Sequence, residues 1–431
     1  MTSATHDPHP PSATTPAPDP TPPATAAVAA TATKPAPTPA PLPRNQGGCP
    51  FDPPGELQRL RAEHPVSPLV MADGTIGWLV TRADDVRAVL ADPAFSADIM
   101  KASNPVQVIP EEARSLPPDP AFFIHADQPE HTRYRKLLMG QFTMRRVREL
   151  EPRIEEIVAE HLTRMRVKGS ADLVKEFALP VPSLVICELL GVPYEERERF
   201  QTLTTDMLRA DATPMEIGTT AYQLRLYLGA LVTAKREAPD GAIISGLIED
   251  GSGLTDEELT SIAMLLLIGG HETTANQLGL SVFALLREPE RYRLLADDPT
   301  LIPDAVEELL RYLPLSQFGV TRLAKRDVEV GGVLIRAGES VSLSVSAANR
   351  DPDRFYDPDT LDLTRRPTQH LAFGHGIHLC IGQALARAEL RIALHALVTS
   401  YPGLRLAVPA EDVPLRHEML IYGAAELPVT W

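Results

Sequence analysis

The chain has 431 residues, 44% hydrophobic and 23% charged, enough for a large buried core, and 41 Lys and Arg against 57 Asp and Glu leave it at −16. Such an acidic balance excludes nucleic acid and an anionic membrane as expected partners. Three cysteines, Cys49, Cys187 and Cys380, are odd in number and far apart, which excludes a disulfide framework and points to a reducing compartment.

Residues 1–46 are mostly Pro, Ala and Thr, with 13 of the 42 prolines ahead of Arg44, too few large apolar groups to offset ordering entropy. The expectation is a disordered tail followed by one domain over 47–431, without internal repeats. Gly74 to Thr81 reads as a strand and Asp84 to Leu90 as a short helix. Ile99 to Phe123 carries five prolines and no helical period, the pattern of a lid or binding loop. From Asp127 a helix is predicted with His131 and Arg135 on one face. Arg133 to Arg148 is the most basic stretch of the chain, either a solvated face or a docking patch for an acidic partner.

Residues 153–249 are helical by pattern, with breaks at Pro180-Val-Pro182 and Pro214. Cys187 falls in an apolar run and reads as core. Thr255-Asp-Glu-Glu258 is a capping box, and the helix it opens runs to Arg287, about 50 Å at about 1.5 Å per residue. Ile262 to Ile268 is apolar all round, so this helix is expected to cross the middle of the domain. The same run is too short for a bilayer, and no leader sequence opens the chain, so a cytoplasmic monomer is expected. Gly269-Gly270 costs about 2 kcal/mol of helix propensity in mid-helix, which suggests a functional widening beside Glu272 and Thr273. Leu265, Leu266 and Gly269 lie near the face of Thr273. Glu308 and Arg311 have ordinary i,i+3 ion-pair spacing. A strand edge is expected over Leu315–Val320, a small sheet over Val328–Ser346, and a short strand or turn over Met419–Gly423.

Phe373 to Gly382 reads Phe-Gly-His-Gly-Ile-His-Leu-Cys-Ile-Gly. Glycines around Cys380 let the backbone turn tightly and approach a flat ligand. A helix predicted from Ile381 puts Cys380 at a helix N-terminus, where free N–H groups favour a thiolate.

The pattern Phe-x-x-Gly-x-His-x-Cys-x-Gly resembles the haem-ligand loop of the cytochrome P-450 superfamily, and Gly-Gly-His-Glu-Thr-Thr resembles its central-helix motif. The fine pattern is similar to soluble actinobacterial enzymes that oxidise natural products. The resemblance implies a mainly α (α+β) fold around a buried haem b, with Cys380 as iron ligand. His131, Arg135, Arg322 and His378 would anchor propionates, while Phe373, Gly382 and Gly269 flank the haem. Thr273 and Glu272 would manage protons. Glu308, Arg311 and a third arginine would form a structural ion pair; Arg365 is preferred over Arg354. Phe122, Phe123, Leu265, Leu266, Gly269, Leu315, Phe318 and Ile421 would line a substrate pocket. Gly269 stands where alanine is usual, implying a looser groove.

The implied reaction is monooxygenation, a hydroxylation or epoxidation of a hydrophobic secondary metabolite such as a macrolide, polyketide or terpenoid. It uses O2 and electrons passed from NAD(P)H through a ferredoxin reductase and a ferredoxin docking near Arg133 to Arg148. A peroxide-driven peroxygenase would not need Glu272 and Thr273. A non-enzymatic haem-thiolate sensor or binding protein would want a small distal pocket and no partner patch.

Overall fold

The structure, a computed structural model, describes residues 1, 37–44, 48–115, 119, 121–193, 196–366 and 369–431. Apart from Met1 these belong to one unit, Ala36–Trp431. Most of the expected tail, 2–36 and 45–46, lies outside the described residues. Its inner end is corrected: Ala40 and Pro41 pair in parallel with Leu69 and Val70, and Leu42 is buried. A Pro/Ala stretch can do this because an edge strand needs only extended backbone, and proline's missing N–H is harmless there.

The strands are β1 (Ala40–Pro41), β2 (Val66–Val70), β3 (Ile76–Val80), β4 (Phe95–Ser96), β5 (Ser170–Asp172), β6 (Val320–Ala324), β7 (Val328–Val330), β8 (Val333–Ile335), β9 (Ser340–Leu343), β10 (Arg405–Leu406) and β11 (Pro428–Thr430). Six form one sheet in the order β1-β2-β3-β9-β6-β4; β10-β11-β5 and the β7-β8 hairpin are separate. The strand expected from Leu315 instead begins at Val320. Gly319 turns the chain into it with φ +75°, where a Cβ would lie 2.3 Å from the Leu343 carbonyl oxygen.

Helices supply the rest, arranged about Asp256–Arg287, which is 32 residues long. Thr255 Oγ1 accepts the Glu258 N–H at 3.2 Å and Glu258 Oε2 accepts the Thr255 N–H at 2.8 Å, the expected capping box. From Leu259 to Leu286 every residue is buried except Leu265, Ile268, Gly269, Gly270 and Thr273. Gly270 is the close-packing glycine: a Cβ there would meet Ile186 Cδ1 at 3.0 Å, on the helix Pro180–Leu190. Cys187 of that helix is buried in the main core.

The helix Ile302–Tyr312 carries the ion pair into the core. Arg311 Nε and Nη2 each donate to Glu308 at 2.7 Å, and Arg365 Nε adds a third bond at 3.1 Å. Arg354 instead pairs with Asp84 at the surface. Glu308→Ala leaves Arg311 buried without its carboxylate. It is expected to lower the unfolding free energy by about 3–5 kcal/mol, read by urea denaturation.

Candidate active site

Cys380 sits on a loop held from three sides. Its N–H donates to the Phe373 carbonyl at 2.9 Å. Arg135 Nη2 donates to the Leu379 carbonyl at 2.5 Å. Arg387, on the helix Gln383–Ser400, places its guanidinium 4.4 Å over the Phe373 ring. Gly376 adopts φ +73°, and a Cβ there would fall 2.6 Å from the Leu90 carbonyl oxygen, so the loop lies flat against the helix Ala83–Ala91.

The helix begins at Gln383, two residues later than expected, with Gly382 as its cap. The N–H groups of Gly382 and Gln383, with Arg135 and Arg387, favour a thiolate, but burial is the larger influence and pushes the Cys380 thiol up. The expected pull of the helix end is present, and burial opposes it. Cys380 nevertheless keeps accessible surface. Both facts hold together for a sulfur in the floor of a concavity.

Around this loop the predicted basic residues converge. The His131 and His378 rings lie 4.3 Å apart. Burial, Arg322 and His131 push His378 down to about 3, and burial with Arg135 pushes His131 down. Burial pushes Arg322 down to about 10; its Nη1 donates to its own residue's neighbour, the Thr321 carbonyl, at 2.9 Å. His125, which the sequence reading missed, joins them, pushed down to about 4 by burial and Arg322. Both ring nitrogens of His131 are buried without a hydrogen-bond partner. The guanidiniums of Arg322 and Arg135, with neutral imidazoles beside them and the orphaned ring nitrogens of His131, fit the two carboxylates of a haem, and the thiol fits its iron.

The second predicted element is the accessible face of the long helix. A Cβ on Gly269 would meet nothing within 4 Å, and Gly382 is equally open. Thr273 Oγ1 donates to the Gly269 carbonyl at 2.6 Å. Glu272 is wholly buried: Asn276 Nδ2 donates to Oε2 at 2.9 Å, Arg416 Nη1 at 3.2 Å, and the Thr205 hydroxyl donates to Oε1. Only Asn276 was within reach of sequence reasoning, through its i,i+4 spacing from Glu272.

The expected pocket residues separate. Leu265, Leu315 and Phe122 are partly buried against the main core cluster, as is Phe373, which was expected beside the haem, and Ile421 is joined to Ser316 by a β-bridge beside Leu315. Three others are buried. Phe123 is buried against the His131 ring at 5.9 Å, and Leu266 is buried one step round the helix from Leu265. Phe318 belongs to a different cluster, with Leu69 and Leu79, and Arg44 lies over its ring at 5.3 Å.

These features define a cytochrome P450. The family's profile, described as Cytochrome P450, matches residues 242–415. Cytochrome P450 105C1 of Streptomyces sp is 48% identical over 382 residues, 88% of this chain and 96% of that protein. Nocardicin C N-oxygenase of Nocardia uniformis subsp. tsuyamanensis is 48% identical over 378 residues, 86% and 94% of the two chains. The crystal structure of CYP105P1 in complex with filipin I superposes with TM-score 0.85 at 43% identity, covering 91% of this chain and 99% of that one. The chain belongs to the cytochrome P450 family and is a monooxygenase with the family's mainly α fold.

His271, adjacent to Glu272, is fully buried and pushed down to about 4 by burial, so it folds as neutral imidazole. Below its ordinary value of 6.5 the unfolded chain binds a proton that the folded chain refuses. Stability from this residue is therefore intact above pH 6.5 and falls by about 1.4 kcal/mol per pH unit down to about pH 4. Urea midpoints at pH 7, 6 and 5 are expected to fall less steeply for His271→Asn than for wild type.

Proposed function

We propose that this monooxygenase oxidises a hydrophobic small molecule of the secondary-metabolite class, a macrolide, polyketide or terpenoid, with electrons from a separate ferredoxin. The observation that carries the reading is the convergence of Arg322, His131, His378 and Arg135 beside the Cys380 loop. Cys380 would ligate the iron of a haem b whose propionates take hydrogen bonds from those four residues. The thiolate-ligated haem supplies oxygen activation, because sulfur donation favours O–O cleavage.

The chain's own residues do the rest. Holding the iron, the Cys380 sulfur would stay ionised against its burial, with the N–H groups of Gly382 and Gln383 spreading its charge. Leu265, Leu315 and Ile421 offer apolar surface that selects a hydrophobic substrate and excludes water. Thr273 holds a hydroxyl proton on the open face, and Glu272 is the buried acid behind it. An acid held by three donors favours an oxygenase that needs ordered protons over a peroxygenase that does not.

The test is the absorption spectrum of the reduced carbonyl complex. Wild type is expected to give the red-shifted Soret band of thiolate ligation and Cys380→Ser to lose it; a wild type without that band defeats the reading. Titration with filipin I then reports, by a spin-state shift, whether a compound of that kind enters this pocket.

The exposed stretch including Lys136, Arg146 and Arg148 supports the ferredoxin reading, whereas Arg133 is engaged by Glu258 at 3.0 Å and Arg145 by Glu149 at 3.9 Å. Arg146→Glu with Arg148→Glu is expected to raise the KM for a plant-type ferredoxin about tenfold at low salt, with kcat unchanged. The difference should shrink at about 0.5 M salt, where charges beyond a few ångströms are screened.

A further inference from the structure

Glu272 has no accessible surface, so a proton can reach it only through one of the groups that touch it. Three side chains do so among the described residues: Asn276, Arg416 and Thr205. Asn276 is itself buried, and its amide does not exchange a proton as an acid. A guanidinium does not give up its proton in proteins, which removes Arg416 as a carrier. Thr205 remains. Its hydroxyl already donates to Glu272 Oε1, and Thr205 is only partly buried.

Thr205 does not belong to the long helix. It lies on Arg197–Met207, and the contact is one of an adjacent pair: Thr204 Oγ1 is 3.2 Å from His271 Nδ1, so two consecutive threonines meet two consecutive residues beside Thr273. Phe200, one turn earlier, meets the His271 ring edge-on at 5.7 Å. The end of the same helix is tied to the segment that carries Arg416. The Leu420 N–H donates to the Leu208 carbonyl and the Ala210 N–H to the Glu418 carbonyl, both at 2.8 Å. Two of the three groups holding Glu272 thus come from elements that are paired with each other, and neither belongs to the helix that carries the acid.

We propose that Thr205 is a positioning residue of the oxygenase reaction that also passes solvent protons to Glu272, and that it does so only while Arg197–Met207 is seated on the long helix. In the step, a hydronium ion gives a proton to the free lone pair of Thr205 Oγ1 as the hydroxyl's own proton moves to Glu272 Oε1. One O–H bond breaks and one forms on the threonine, the carboxylate becomes a carboxylic acid, and water is left outside. Lifting the helix removes the donor, so the buried acid is recharged only in the closed site. The proposal rests on the monooxygenase reading above.

The test uses the full-length, haem-loaded protein as wild type, Thr205→Val, Thr205→Ser, Glu272→Gln and the Thr205→Val/Glu272→Gln double variant. NADH-driven oxygen uptake is measured through a plant-type ferredoxin and its reductase, in H2O and in D2O. Thr205→Val is expected to slow uptake about tenfold and to change its solvent isotope effect, Thr205→Ser to stay within about twofold of wild type, and the double variant to be no slower than Glu272→Gln alone. Amide hydrogen exchange is read alongside, independently of turnover. Over 197–207 it is expected to quicken several-fold in Thr205→Val and not in Thr205→Ser, while 383–400 stays unchanged.

Uptake and isotope effect unchanged in Thr205→Val would overturn the proposal, and so would multiplicative losses in the double variant, which would mean separate roles. Unchanged exchange over 197–207 in Thr205→Val would overturn the dependence on seating. The reduced carbonyl spectrum of the same preparations keeps the two readings apart: a wild type without the thiolate band sinks the oxygenase reading itself, whereas a normal band with the results just named sinks only the role of Thr205.

Discussion

Two consecutive carboxylates on one buried helix, Glu307 and Glu308, fix where the cysteine loop lies. Glu308 binds Arg311 and Arg365 and accepts the Asp362 N–H at 3.0 Å. Arg311 in turn donates to the carbonyls of Asn349 and Pro358, at 2.9 and 2.8 Å, and the Asn349 side chain takes the Leu371 N–H at 2.7 Å. Glu307 binds Arg387 at 2.6 Å and His370 at 3.2 Å, the residues that flank Phe373. Burial raises the Glu307 carboxyl, but these two partners outweigh it and take it down to about 2. Apolar side chains of the same volume could match such pairs in stability, but they could not aim carbonyls and N–H groups. The value of the pairs here is a single position for the loop.

The charge of the site runs against that of the molecule. A chain at −16 gathers His125, His131, Arg135, Arg322 and His378 in one partly buried region, and burial lowers the proton affinity of each. Bringing two carboxylates into such a region adds opposite charge to that of Asp127, which already acts on Arg322 and His378. A neutral flat ligand gains none of this. The same residues thus favour an anionic porphyrin over an apolar one, while on the open face of the long helix a Cβ at 269 would meet nothing within 4 Å.

What could be read from the sequence was what a short window determines. The capping box at Thr255, the length of the central helix, the glycine-rich cysteine loop and the i,i+3 pair of Glu308 and Arg311 each depend on residues a few positions apart. The family motifs extended this to His131, Arg135, Arg322 and His378, which the fold gathers from three stretches of chain. What Phe318 and Phe123 pack against was not legible, because an aromatic side chain next to a loop reads the same whichever way it faces. The closer burial of Leu266 than of Leu265 was not legible either: one residue on a helix is about 100° of rotation, enough to exchange an accessible face for a packed one. Thr205 and Arg416 left no signal at all: each meets Glu272 across more than 60 residues of chain.

The three holders of Glu272 differ in kind, and the difference matches where each comes from. Asn276 shares the acid's own helix, and Arg416 stands next to a segment bridged both to Ser316 and to the end of Arg197–Met207, so neither is carried by the helix of Thr205 itself. The contact from Arg197–Met207 is a neutral hydroxyl. A hydrogen bond to a charged group contributes about 1.5–3 kcal/mol, whereas breaking a buried ion pair costs about 3–5 kcal/mol. Had the arginine been on Arg197–Met207 and the threonine on the framework, each departure of that helix would strand a buried guanidinium or carboxylate. With a hydroxyl as the separable partner, Glu272 keeps its charge compensated by Arg416 when the helix leaves and loses only its link to solvent. The placement leaves Glu272 two contacts, from Asn276 and Arg416, that Arg197–Met207 does not itself make.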